Sequence, residues 1–206
     1  ELEKYEVYGE EVASEVDDVK ARRKELIDSA KAELEQVLTD EATDLRIVGE
    51  KLVEYETFPG IETVRMKLQT KRDDMVAAGE AEIIRAIELD DGDVLSRIVG
   101  DVSEVTGVLA KHENSGGYLD VALERLEKKR GSLEARLLKR LEDTLSTDRL
   151  AVVKVVLEDV KPLDDSAAFA PMISEVQTHF DELRKDSLGK IDEALSSQNP
   201  RDIAAL

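Results

Sequence analysis

The histidines available for metal binding or general acid–base work are His112 and His179, which lie 67 residues apart. A zinc-type site would need carboxylates brought to them by folding, and no spaced motif supplies such ligands. Both histidines are therefore read as surface or loop residues. Asp90-Asp91-Gly92-Asp93 has the acidic, glycine-bearing composition of a calcium loop. It lacks the alternating oxygen ligands ahead of the glycine and the closing glutamate, so a helix-ending turn is the expected role. Asp17-Asp18 and Asp73-Asp74 are adjacent on helices and point away from each other, while Asp164-Asp165 falls in a connector. None of these pairs has the geometry of paired-carboxylate catalysis.

Gly49 and Gly100 each follow Arg-Ile-Val, outside any phosphate-binding glycine pattern. They are expected to let helices approach closely, so that leucine at Gly100 should disturb packing between units. The chain has no cysteine, which removes thiolate chemistry and disulfides and is in keeping with a cytoplasmic location. No catalytic residue, metal or cofactor is expected, and the chain is read as not an enzyme.

One polar feature does recur. Basic clusters stand at Arg22-Arg23-Lys24, Lys71-Arg72 and Lys128-Lys129-Arg130. Arg22, Arg23, Lys71, Arg72, Lys128, Lys129 and Arg130 form a candidate partner-binding ladder, suited to acidic protein segments. The competing reading is a solvated face, in which each cation pairs with an acid one helical turn away for about 0.2–0.5 kcal/mol. The sequence leaves both open.

The elements that would carry these residues are long and short helices in alternation. The first long helix is expected over about residues 2–38. Thr39 and Asp40 are placed to cap a short helix over about 42–55. Phe58-Pro59-Gly60 breaks the chain, since proline lacks an N–H and glycine favours turns. A long helix over 61–89 leads through the acidic turn to a short one over 94–111. Asn114-Ser115-Gly116-Gly117 reads as a loop. Long, short and long helices follow over 118–145, 150–160 and 172–195. Ser197-Gln198-Asn199-Pro200 fits a cap with proline in the next first turn.

A turn signature divides this series. Leu34-Glu-Gln-Val-Leu38, Ile83-Ile-Arg-Ala-Ile87, Leu141-Glu-Asp-Thr-Leu145 and Ile191-Asp-Glu-Ala-Leu195 each pair apolar residues four apart ahead of an acidic or hydroxyl residue. They recur at intervals of 49, 58 and 50 residues. Eight residues before each stand Leu26, Met75, Leu133 and Leu183; fifteen before stand Val19, Leu68, Leu126 and Val176. These columns suit one face of a helix. Eleven before stand Arg23, Arg72 and Arg130, with Phe180 in the last unit.

Repeats of this length mark units that cannot bury a core alone and must stack. The expected fold is all-α: an α-solenoid or elongated helical bundle of about four stacked hairpins. The units run over 1–60, 61–117, 118–170 and 171–206, the last incomplete. Ile203-Ala-Ala-Leu206 aligns with the opening of a short helix, and the segment is expected to belong to a longer repeat chain.

Composition sets the limits on partners. Hydrophobic residues make up 41% and charged residues 37%, the balance of long amphipathic helices, with only four Tyr, three Phe and no Trp. A net charge of -19 opposes binding to nucleic acid and to anionic membrane. No apolar run reaches the roughly 20 residues of a membrane span. Protein partners are expected, with no nucleic acid and no membrane insertion; the oligomeric state is open.

The four signatures and the acidic or hydroxyl turns after them resemble the tandem helical-hairpin repeats of large cytoskeletal and coiled-coil proteins of algae and other protists. That resemblance covers about Val12 to Leu206. It implies a non-catalytic scaffolding segment that mediates protein–protein contacts in a larger, cytoskeletal assembly. The alternative is a regulatory adaptor binding a peptide or helix on one face.

Overall fold

The computed structural model describes residues 10–89 and 92–197. Among these the chain is all-α, with seven α-helices and no strand. They are α1 (Glu10–Thr39), α2 (Leu45–Glu54), α3 (Glu62–Ile87), α4 (Leu95–His112), α5 (Asp120–Leu145), α6 (Leu150–Val160) and α7 (Ala170–Ser197). A short 3-10 turn, Lys161–Leu163, follows α6. Long and short helices alternate as the periodicity predicts. The expected helix start at residues 2–9, Asp90 and Asp91 of the acidic turn, Gln198-Asn199-Pro200 and Ile203–Leu206 lie outside the described residues.

Local chemistry sets the boundaries. Asp44 is the N-cap of α2, with extended backbone and a side-chain Oδ1 that accepts from the Ile47 N–H at 2.8 Å. This satisfies one of the N–H groups that the first turn of a helix leaves unpaired. The cap falls later than the Thr39–Asp40 expectation because α1 runs on to Thr39. The Thr39 hydroxyl donates back to the Glu35 and Gln36 carbonyls, and Asp40 Oδ1 accepts from Ala42 N–H inside the turn. At the next break Gly60 has φ of +84°, a left-handed conformation that glycine adopts without strain.

The chain forms two compact units. One comprises Glu1–Glu82 and Lys111–Ala122, the other Ile83–Ala110 and Leu123–Leu206. In the first, Ala30 and Leu34 of α1, Val48 and Leu52 of α2, and Ile61, Val64 and Leu68 around the start of α3 make one buried core. Leu38, Met75, Tyr55 and Phe58 pack against it, the two rings meeting edge to face at 5.7 Å. The signature residues Leu34 and Leu38 thus share a core with Leu68 and Met75, which stand fifteen and eight residues ahead of the next signature. This is the stacking contact that the columns imply. Each fully buried leucine contributes about 1.5–3 kcal/mol.

The second unit buries Ile98, Val99, Val102, Val105 and Val108 on α4, and Leu126, Leu133, Leu137 and Leu141 on α5. Val153 and Val160 of α6, with Phe169, Ile173 and Val176 around the start of α7, are also buried, and α6 packs along α7. The shared Arg-Ile-Val-Gly sequence does not mean a shared environment. A Cβ on Gly49 would lie 2.7 Å from the Tyr118 ring, so Gly49 admits a side chain rather than a helix. A Cβ on Gly100 would meet nothing within 4 Å. The expected packing role of Gly100 is therefore wrong: it faces open space.

Candidate functional site

The seven basic ladder residues have different surroundings. Arg22 is exposed on α1 and donates to Glu25 at 2.9 Å, while exposed Arg23 makes no polar contact among the described residues. Arg72 donates through Nε and Nη2 to Asp73 and lies 5.9 Å from the centre of the Tyr118 ring. Lys128 pairs with Glu124 at 2.7 Å and Arg130 with Glu134 at 3.5 Å, both one turn along α5.

Lys71 and Lys129 instead reach to other helices. Lys71 Nζ donates to the main-chain carbonyls of Val37 at 2.8 Å, Leu38 at 3.1 Å and Asp40 at 3.1 Å, at the end of α1. Lys129 Nζ donates to the Leu89 carbonyl at 3.2 Å, just past the end of α3. Both stand twelve residues before a signature. The same position in the last unit is His179, whose Nε2 lies 2.8 Å from the Thr147 carbonyl, just past the end of α5. A carbonyl only accepts, so Nε2 carries the proton there. Asp40, Leu89 and Thr147 all stand six residues after the start of a signature. One rule covers the three joints: a donor twelve before a signature binds the carbonyl six after the preceding one.

The chemistry suits that position. A helix leaves its last four carbonyls unpaired and carries a partial negative charge at that end. A donor there satisfies acceptors that turn geometry leaves open, and a cation adds about 0.3–1 kcal/mol of charge–dipole attraction. The column eleven before the signature, singled out from the sequence, breaks at Phe180. The column twelve before it, Arg22, Lys71, Lys129 and His179, holds a donor in every unit. That regularity was open to sequence inspection, but its acceptors are backbone groups with no residue signature.

Other polar groups also tie helices and turns together. Arg140 pairs with Asp93 at 2.6 Å and Arg136 donates to the Gly92 carbonyl, so α5 grips the acidic turn. Arg140 holds the Asp93 carboxyl below its ordinary range. Glu82 receives Lys111 at 2.6 Å and lies 2.9 Å from His112 Nε2. These two, Lys111 first, lower the Glu82 pKa. Glu33 on α1 joins Lys51 and accepts from the Tyr55 hydroxyl at 2.6 Å, and Lys51 also donates to Glu54. The Lys51 and Tyr55 bonds depress the Glu33 carboxyl, and the acids beside Lys51 hold its ammonium above the usual lysine range. Among the described residues, no three His, Cys, Asp or Glu side chains are grouped to hold a metal. Nor is any described helix long and apolar enough to cross a membrane.

The first unit also carries an open groove lined by Arg46, Gly49, Glu50, Val53, Glu54, Gly116 and Tyr118. Its apolar part is exposed Val53 and the Tyr118 ring seated on Gly49. Gly116 lines it as well, with φ of +65° and so little room that an added Cβ would lie 3.2 Å from Arg46 Cα. Set against known proteins, the chain matches no family model, no curated protein and no solved structure.

Proposed function

We propose that this chain is a non-catalytic scaffolding segment, built of stacked helical hairpins, that makes protein–protein contacts in a larger cytoplasmic assembly of cytoskeletal kind. The observation that carries this reading is the use of the recurring donor column. Lys71, Lys129 and His179 bind the end of the preceding long helix, and so join one repeat to the next. Both histidines, the natural candidates for acid–base chemistry, are engaged at joints, His112 by Glu82 and His179 by Thr147. Polar side chains held in this way build a spacer and leave charged helix faces for partners. The net charge of -19 favours basic or neutral protein surfaces over nucleic acid.

The adaptor reading draws on the Val53–Tyr118 groove, whose apolar floor, rimmed by the Arg46–Glu50 ion pair and Glu54, suits an amphipathic segment. Cross-linking and recovery from a native extract separates the two, comparing the intact chain with an Arg23→Glu, Lys24→Glu variant and a Val53→Asp variant. A scaffold recovers the same assembly components with all three. One abundant partner lost with Val53→Asp would replace the scaffold reading with the adaptor.

A further inference from the structure

Cations gather on one side of α5 within the second unit. Arg136, Lys139 and Arg140 stand at i, i+3 and i+4, so their side chains leave the helix on the same face. With Asp93, Ile98 and Asp143 they line an open hollow of about 330 Å³. Arg136 reaches across it to donate to the Gly92 carbonyl at 3.1 Å. Lys139, exposed on the same face, makes no polar contact among the described residues.

One anionic group of the chain itself already sits there. The Asp93 carboxylate lies 2.6 Å from Arg140 and 4.0 Å from Arg136. Its side chain is 79% exposed, so water can take its place and the pair is weak enough to be exchanged. With Asp93 turned out, the hollow keeps three cations against the single carboxylate of Asp143. The net charge of -19 repels anions from the chain as a whole, so any anion held here is held by these close contacts. The chemistry selects among anions. Guanidinium forks match the oxygens of a phosphate, and an ammonium adds a point charge beside them. A carboxylate meets only the arginines here, whereas a dianion with oxygens on several sides can engage Lys139 too.

We infer that this hollow binds a phosphate group, which displaces the Asp93 carboxylate and is held by Arg136, Lys139 and Arg140. Asp93 then acts as a built-in competitor that keeps weaker anions out. The site goes beyond the scaffold reading and does not depend on it. The same contacts would hold a free phosphate ligand or the phosphorylated side chain of a protein segment.

Amide NMR of the nitrogen-15-labelled intact chain tests this, titrated near neutral pH with inorganic phosphate and with chloride at matched ionic strength. The expected result is saturable shifts at residues 92–98 and 136–143 with phosphate and not with chloride. Asp93→Asn should bind about threefold more tightly, because the competing pair is gone, and Lys139→Gln about threefold more weakly. Lys128→Gln, which breaks an exposed pair elsewhere on α5, should bind as the intact chain does. Lys139→Arg should keep the binding, which separates a lost charge from a lost helix. A neutral peptide carrying one phosphoserine is the second arm. Tighter binding than free phosphate assigns the group to a phosphorylated protein segment; equal or weaker binding assigns it to a free phosphate ligand. Equal shifts with phosphate and chloride, an Asp93→Asn variant that binds no better, or a Lys139→Gln variant that matches Lys128→Gln would each overturn the proposal.

Discussion

Replacing Lys71 by methionine removes the donor that closes the end of α1 while keeping most of its apolar stem. Three carbonyls lose their partner together. A hydrogen bond involving a charged group contributes about 1.5–3 kcal/mol, and a neutral one about 0.5–1.5 kcal/mol. The Asp40 carbonyl is at the surface and rehydrates easily, whereas the Val37 and Leu38 residues are half-buried. The loss should therefore approach one full charged bond, about 1.5–3 kcal/mol, and not three of them. Lys128→Met is the control, since it makes the same change in net charge but breaks only an exposed pair worth about 0.3–0.5 kcal/mol. Urea unfolding followed by circular dichroism and tyrosine emission reads the difference, because Tyr55 packs on the core that this joint borders. With a urea dependence of about 1–3 kcal/mol per molar, Lys71→Met should lower the midpoint by on the order of 1 M and Lys128→Met by far less. Lys71→Arg should recover much of the loss. Equal midpoints for the two methionine variants would refute the argument that the helix-end position gives Lys71 its weight.

Gly100→Ala should stabilise the chain by about 0.5–1 kcal/mol, because alanine is the better helix former and the added methyl meets nothing. Gly49→Ala should lower the thermal midpoint, since its Cβ would lie 2.7 Å from the Tyr118 ring; the loss should shrink in a Tyr118→Ala background. Asp44→Ala removes the α2 cap and should cost about 1 kcal/mol in urea unfolding. Glu82→Gln tests the sign of a pH dependence. The Glu82 pKa is lowered in the folded chain, so its contribution is present above the ordinary value near 4.5 and lost as pH falls through the lower, folded value. The variant should be about 0.5–1 kcal/mol less stable near neutrality and should match the parent in acid. A gap that persists below the carboxylate range would contradict that assignment.

Helix period and type were legible because leucine, isoleucine and valine mark one face in every unit. The bounds of α6, Leu150–Val160, agree with the pattern because polar turn residues flank them on both sides. The start of α2 was not, since Thr39, Asp40 and Asp44 are all competent caps and the reach of α1 chooses among them. The basic clusters were visible as clusters, but their division was hidden. In the clusters on α3 and α5 one side chain pairs along its own helix while its neighbour turns to a helix end, and that depends on packing. Arg, Lys, Lys and His share the ability to donate a hydrogen bond more than they share identity, so residue matching passed over the column. The difference between Gly49 and Gly100 rests on where Tyr118 lands, which only the fold decides.

Nitrogen-15 NMR of the lysine side chains tests the joint between repeats most directly. The Nζ of Lys71 and Lys129 should show slow hydrogen exchange and couplings across hydrogen bonds to main-chain carbonyls, those of Val37, Leu38 and Asp40 for the first and Leu89 for the second. Lys24 and Lys128, exposed on their helices, should show neither. If all four ammonium groups exchange and average alike, the recurring donor does not hold one repeat to the next, and the scaffold account loses its foundation.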